Sequence, residues 1–165
     1  MIKRQVFFSF HYEQDVRRVA QIRNIGTIEG NSVVSDNDWE TVKRGGDDAI
    51  KKWIDSNLQY RSCLVVLVGK HTSERKWIDY EIRQAWNKGM GVLGIYIHRI
   101  KDPLLCRMGY SGYSNMGRNP FDNICFENGS PLSSVVHCYN PDYNNAYGCI
   151  ADNLETWVES AIGDR

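Results

Sequence analysis

No stretch of the 165 residues is apolar for long enough to cross a bilayer. The N-terminal Met1-Ile-Lys-Arg-Gln-Val leads straight into a strand-like run, so no secretion signal is expected. Charge bias is also missing: 20 Lys and Arg balance 20 Asp and Glu, which offers no net field for nucleic acid or an acidic membrane. Five cysteines, an odd number without any C-x-x-C, exclude a paired disulfide framework and a zinc knuckle. Cys63, Cys106, Cys125, Cys138 and Cys149 therefore read as free thiols of a cytoplasmic protein. His11, His71, His98 and His137 are dispersed without ligand spacing, so no metal site is expected.

Several common chemistries lack their motifs. There is no G-x-x-x-x-G-K-[ST] phosphate loop, and no G-x-G-x-x-G follows the first strand. Gly109, Gly112 and Gly117 have the wrong spacing for that fingerprint. A phospho-acceptor receiver needs an acidic cluster after its first strand, where this chain has His11-Tyr12-Glu13. The Ser/Thr-rich phosphate loop of a flavodoxin is missing from the same place. No G-x-S-x-G elbow marks a serine hydrolase.

What is present alternates. At 42% hydrophobic and 24% charged, the chain is expected to fold, and its length suits one domain over residues 1–165. Strands are predicted at Val6–Phe10, Ser32–Ser35, Cys63–Val68, Gly91–Ile97 and Val135–Tyr139. Helices are predicted from Gln14 to about Asn24, Asp47–Leu58, Trp77 to about Lys88, and Cys149–Ile162. In the first helix Val16, Val19, Ala20 and Arg23 recur at helical spacing. Strands as apolar as Cys63-Leu-Val-Val-Leu-Val68 are covered on both faces. The expected fold is α/β and flavodoxin-like: three layers, with a central, mainly parallel five-stranded sheet flanked by helices. Residues 100–134 are too long for an ordinary connection. Their aromatics, including Tyr110, Tyr113, Phe121 and Phe126, suggest an ordered insertion that caps the site edge.

The carboxyl ends of the strands, where such sheets bind ligands, would carry Phe10-His11-Tyr12, Asp36-Asn37-Asp38-Trp39 and the 69–76 loop. That loop opens the helix written Trp77-Ile-Asp-Tyr-Glu81. Trp and Glu four apart share a helical face, so one carboxylate can stand beside one aromatic plate. A sugar or nucleotide pocket uses both: a fixed charge for a developing cation and a flat wall for a ring. The bland alternative is that Trp77 borders the core stripe of Ile78, Ile82, Ala85 and Trp86 while Glu81 is solvated. Asp79 stands four residues before Arg83, the spacing of a surface ion pair. Ser9 reads as a local backbone cap.

Taken together, Val6-Phe-Phe-Ser-Phe10 followed by polar residues and Asp15, an acidic Trp-bearing loop after strand two, and W-x-x-x-E after Leu64-Val-Val-Leu-Val68 resemble the TIR domain. The F-x-S-F run and Gly117-Arg-Asn-Pro-Phe121 resemble its bacterial branch, nearest to the TIR-like component of the Thoeris antiphage system. The resemblance spans residues 3–162. It departs from receptor TIR domains in lacking a Pro-Gly pair after strand two and in carrying the long 100–134 segment.

The resemblance implies an enzyme that uses NAD⁺ as substrate and no cofactor, cleaving the nicotinamide–ribose bond and forming a cyclic ADP-ribose isomer. That product would be a diffusible antiviral signal for a partner NAD-consuming effector. It implies Glu81 as the catalytic glutamate and Trp77 as the motif tryptophan. Phe10, His11 and Tyr12 would line the NAD⁺ pocket. Residues 36–43, with Asp36 and Trp39, would close the site and mediate self-association. A plain NAD⁺ hydrolase and a non-enzymatic interaction module remain alternatives, and no nucleic-acid or membrane partner is expected.

Overall fold

A computed structural model describes residues 3–31 and 41–165. Five strands, β1 (Gln5–Ser9), β2 (Glu29–Gly30), β3 (Cys63–Val68), β4 (Gly91–Tyr96) and β5 (Cys138–Tyr139), form one sheet in the order β2-β1-β3-β4-β5. Among the described residues, every pairing between these strands is parallel. The α-helices are α1 (Tyr12–Arg23), α2 (Asp47–Leu58), α3 (Lys76–Asn87), α4 (Pro103–Arg107) and α5 (Ala146–Gly163). Residues 41–44 are also helical, and short 3₁₀ turns occupy Thr72–Glu74, Pro120–Asn123 and Leu132–Ser134.

The apolar run of β3 is buried at every position because both of its faces are covered. Cys63, Val65 and Leu67 pack with Val6, Phe8, Leu93 and Ile95 against α1 and α5. Leu64, Val66 and Val68 pack with Phe7 and Val92 against α2 and α3. This strict two-residue alternation fixes the register and the face on which each side chain lies.

The structure refines the sequence reading in several elements. The strand beside β1 is Glu29–Gly30, two residues long; the predicted Ser32–Ser35 lies outside the described residues. The last strand is only Cys138–Tyr139, because the chain before it curls: the amides of Val135 and Val136 both donate to the Leu132 carbonyl. The final helix starts three residues earlier than predicted, at Ala146, where the Asn145 side chain caps it by accepting from the Gly148 amide. The buried face of α1 is Asp15, Arg18, Val19 and Ile22, rotated from the expected stripe, and Ala20 is exposed. That face carries a buried ion pair, Arg18 to Asp15 at 3.2 Å.

The long segment after β4 folds back over the carboxyl edge of the sheet. The Ser114 amide donates to the His98 carbonyl at 3.0 Å. Gly117 lies so close to the Gly69 carbonyl that a Cβ there would stand 2.0 Å from its oxygen. Asn119 caps the next turn by accepting from the Phe121 amide, and Pro120 opens that turn. Phe121 is fully buried, filling the space beside Gly94, where a side chain would collide with its ring and with Cys138. A buried aromatic anchor and a glycine contact thus seat this segment across the ends of β3 and β4.

Candidate active site

Strand order reverses between β1 and β3. From β1 the sheet continues to β2, and from β3 to β4, leaving a crevice at their carboxyl ends where open α/β sheets receive ligands. Alternation decides what β1 contributes. Val6 and Phe8 face α1 and α5, so Phe7 and Ser9 face α2 and α3. On that second side α3 carries Glu81 within its buried stripe of Ile78, Ile82 and Ala85. The Ser9 hydroxyl donates a hydrogen bond to Glu81 Oε2.

Glu81 is 8% exposed. Burial disfavours its charged form and pushes the carboxyl up to about 8, with the Ser9 hydrogen bond opposing only part of the rise. At pH 7 the protonated form of the carboxyl therefore predominates. A group so poised titrates readily when a cation arrives beside it.

His11 lies two residues beyond Ser9 and is buried at the start of α1. Desolvation and the charge of Arg75 lower its pKa, so the imidazole is neutral at pH 7. Phe10 is half-buried against the α1/α5 core, its ring 6.1 Å from that of Tyr12. Trp77 is half-buried at the first turn of α3, edge-on to Tyr80, with the Lys76 ammonium 4.7 Å above its ring. The Tyr80 hydroxyl donates to Asp55 of α2, so this pair helps dock α3 on α2. Asp79 accepts from Arg83 at 2.6 Å, the surface pair its spacing indicated. Asp36 and Trp39 lie outside the described residues.

A buried ionic cluster stands on the α1 side of the crevice. Arg18 donates to Asp15 Oδ1 at 3.2 Å, to the Ile100 carbonyl at 2.8 Å and to the Gly112 carbonyl at 3.0 Å. Asp15 abuts Gly69 at the end of β3, where any Cβ would meet its carboxylate at 2.1 Å. Burial raises the Asp15 pKa, and Arg18 opposes the rise. Arg17 grips Asp102 with two bonds, of 2.7 and 2.9 Å, and holds that carboxyl below its usual range. Among the described residues, no group of three or more His, Cys, Asp or Glu could hold a metal ion, and no helix is long and apolar enough to cross a membrane.

The model of the family described as Thoeris protein ThsB, TIR-like domain, matches residues 7–102, more than half of the chain. This chain belongs to that family. The ThsB TIR-like match includes Ser9, His11, Trp77 and Glu81 and ends at Asp102, so Gly117–Phe121 lies beyond it. A relative from Bacillus cereus (strain MSX-D12) bears the name "Putative cyclic ADP-D-ribose synthase ThsB1". It is 34% identical over 141 residues, spanning 82% of this chain and 70% of its own length.

Within this ThsB TIR-like fold, Ser9 and Arg18 escaped the sequence reading. Ser9 does not cap local backbone; it reaches a glutamate 72 residues away. The available signal was phase: a polar residue ending a buried strand, on the same face as Phe7. Arg18 gave no apolar signal, although its spacing of three from Asp15 is that of a helical ion pair.

Proposed function

We propose that this chain cleaves the nicotinamide–ribose bond of NAD⁺ and closes the remaining ADP-ribose on itself, giving a cyclic ADP-ribose isomer. The observation that carries the reading is the buried Glu81 carboxyl, held by Ser9 in the crevice between β1 and β3. The relative's name supports the same reaction class.

The chemistry follows from charge. NAD⁺ carries its positive charge on the nicotinamide ring, which leaves as a neutral base without needing a proton. As the glycosidic bond breaks, positive charge develops on the ribose. Glu81 enters the free site largely protonated, and the substrate cation favours loss of that proton. The resulting carboxylate is preorganised by Ser9 and stabilises the developing oxocarbenium more than the ground state. One carboxylate suffices, where ordinary glycosidases need an acid as well. An adenine nitrogen or ribose hydroxyl of the same molecule then attacks the ribose carbon, and one proton is released overall. The neutral imidazole of His11 suits the acceptance of that proton when a hydroxyl attacks. Phe10, Tyr12 and Trp77 serve as aromatic walls that keep water from competing, and Asp36 and Trp39 complete the binding residues. The chain acts in the cytoplasm and self-associates for activity. Its diffusible product activates a partner NAD-consuming effector.

Mass spectrometry of filtered lysates from phage-infected cells tests this reading. A new ion at the mass of cyclic ADP-ribose, present with the wild-type chain and missing with Glu81→Gln, is the expected result. Linear ADP-ribose alone would replace cyclisation with hydrolysis. No nucleotide product, with protection intact in both strains, would overturn the enzymatic reading.

A further inference from the structure

Beyond the Glu81 crevice, the same sheet edge holds a second group of residues with its own chemistry. Arg99 follows β4, Tyr143 follows β5, and Tyr113 lies on the segment that folds back over the carboxyl edge of the sheet. The Arg99 guanidinium sits 3.7 Å from the ring centroid of Tyr113 and 3.4 Å from that of Tyr143. The Lys101 ammonium lies 5.5 Å from the Tyr113 ring. Two cations and two phenol rings thus form one layered cluster.

Its backbone is fixed from several directions. The Ser114 amide bonds the His98 carbonyl, locking the neighbours of Tyr113 and Arg99 together. The Gly112 carbonyl, just before Tyr113, accepts from both Arg18 and the Asp102 amide. Arg99 Nε donates to the Tyr143 carbonyl at 3.4 Å. Asp142, the nearest acid in sequence to Tyr143, turns its carboxylate onto the Asn144 amide instead. Among the described residues, no carboxylate forms an ion pair with Arg99 or Lys101. The acid that follows Lys101 in sequence, Asp102, is already held by Arg17.

An arginine flattened between two rings keeps its Nη edge available while losing little further freedom on binding an anion. That planar edge matches two phosphate oxygens. Tyr143 is 65% exposed, so the ring face turned away from Arg99 is open to a base. The cluster also lies within reach of the crevice. Tyr113 and Gly117 are four positions apart, at most about 14 Å of extended chain, and Gly117 touches Gly69 at the end of β3.

We propose that the Tyr113–Arg99–Tyr143 stack is a binding subsite for the pyrophosphate of a dinucleotide, with Tyr143 offering its outer face to the adenine. The proposal rests on the NAD⁺ reading for its ligand and extends it from the scissile bond to the other end of the substrate. Arg99 binds and orients; Glu81 acts on the ribose.

Calorimetric titration of the full chain with inorganic pyrophosphate and with ADP-ribose tests the subsite, alongside NAD⁺ kinetics and a thermal melt of each variant. Arg99→Met is expected to weaken both ligands at least tenfold and to raise KM for NAD⁺ while leaving kcat within about twofold. Arg99→Lys keeps the charge but loses the planar fork, so it falls between Arg99→Met and wild type. Tyr143→Ala is expected to weaken ADP-ribose more than pyrophosphate. Folded Arg99→Met and Arg99→Lys variants with wild-type affinity and KM would overturn the subsite, even if wild type turns over NAD⁺. Pyrophosphate binding that depends on Arg99, in a wild-type chain that releases no nicotinamide, would keep the anion site and remove the NAD⁺ reading instead.

Discussion

The Ser9 hydroxyl donates to the Glu81 carboxylate, joining the last residue of β1 to the buried face of α3. A polar pair in this position is costly unless each partner satisfies the other. Ser9 therefore sets both the orientation of Glu81 and part of its acidity.

Replacing Ser9 by Ala removes the interaction that favours ionised Glu81. The reaction requires the carboxylate, so kcat/KM of the wild type rises with pH below about 8 and levels above it. In Ser9→Ala the rise moves about one unit higher, the size expected of one hydrogen bond to a charged group. A pH profile of kcat/KM measures it directly. An unshifted profile with lower rates would assign Ser9 to substrate contact rather than to tuning.

Glu81 also makes stability depend on pH. Its pKa rises from 4.5 to about 8 on folding, so the native chain holds a proton that the unfolded chain has lost in that interval. This contribution is neutral below pH 4.5 and increasingly destabilising as pH rises towards 8. Glu81→Gln cannot ionise and keeps the acceptor oxygen for Ser9. It is expected to melt higher than wild type, by about 6–12 °C at pH 8, for a gain on the order of 3 kcal/mol. Calorimetry at pH 5 and pH 8 checks that the gap widens. A constant gap would mean that Glu81 is not the titrating group.

Arg18 ties α1 to both ends of the 100–112 stretch and to Asp15. Arg18→Met leaves the Asp15 carboxyl buried without its partner, and a loss of about 3–5 kcal/mol is expected. Amide exchange should quicken first at Asp102, whose N–H bonds the Gly112 carbonyl that Arg18 also holds. Unchanged protection there would show that Gly117 and Phe121 seat the segment without help from Arg18.

What could be read in the sequence tracks how each element is stabilised. β3 and β4 are apolar on both faces, and α3 has a clear buried stripe, so their places followed from periodicity, whereas Glu81 was singled out by W-x-x-x-E and the TIR resemblance. β2 and β5 are two residues each and owe their geometry to neighbouring strands rather than to local pattern. The face of α1 was misread because Asp15 and Arg18 bury charge against charge, which apolar periodicity does not register. The Arg99 stack joins loops after β4 and β5 to a third segment, so no spacing announces it.

Purified chain incubated with NAD⁺, with nicotinamide and all nucleotide products separated over time, tests the central claim most directly. Wild type should release nicotinamide and a cyclic ADP-ribose isomer in equal amounts. Folded Glu81→Gln should lose the rate by about a hundredfold to a thousandfold, as removal of a charge-stabilising group at a buried centre does. Full product formation by Glu81→Gln would contradict the assignment of the chemistry to this carboxylate.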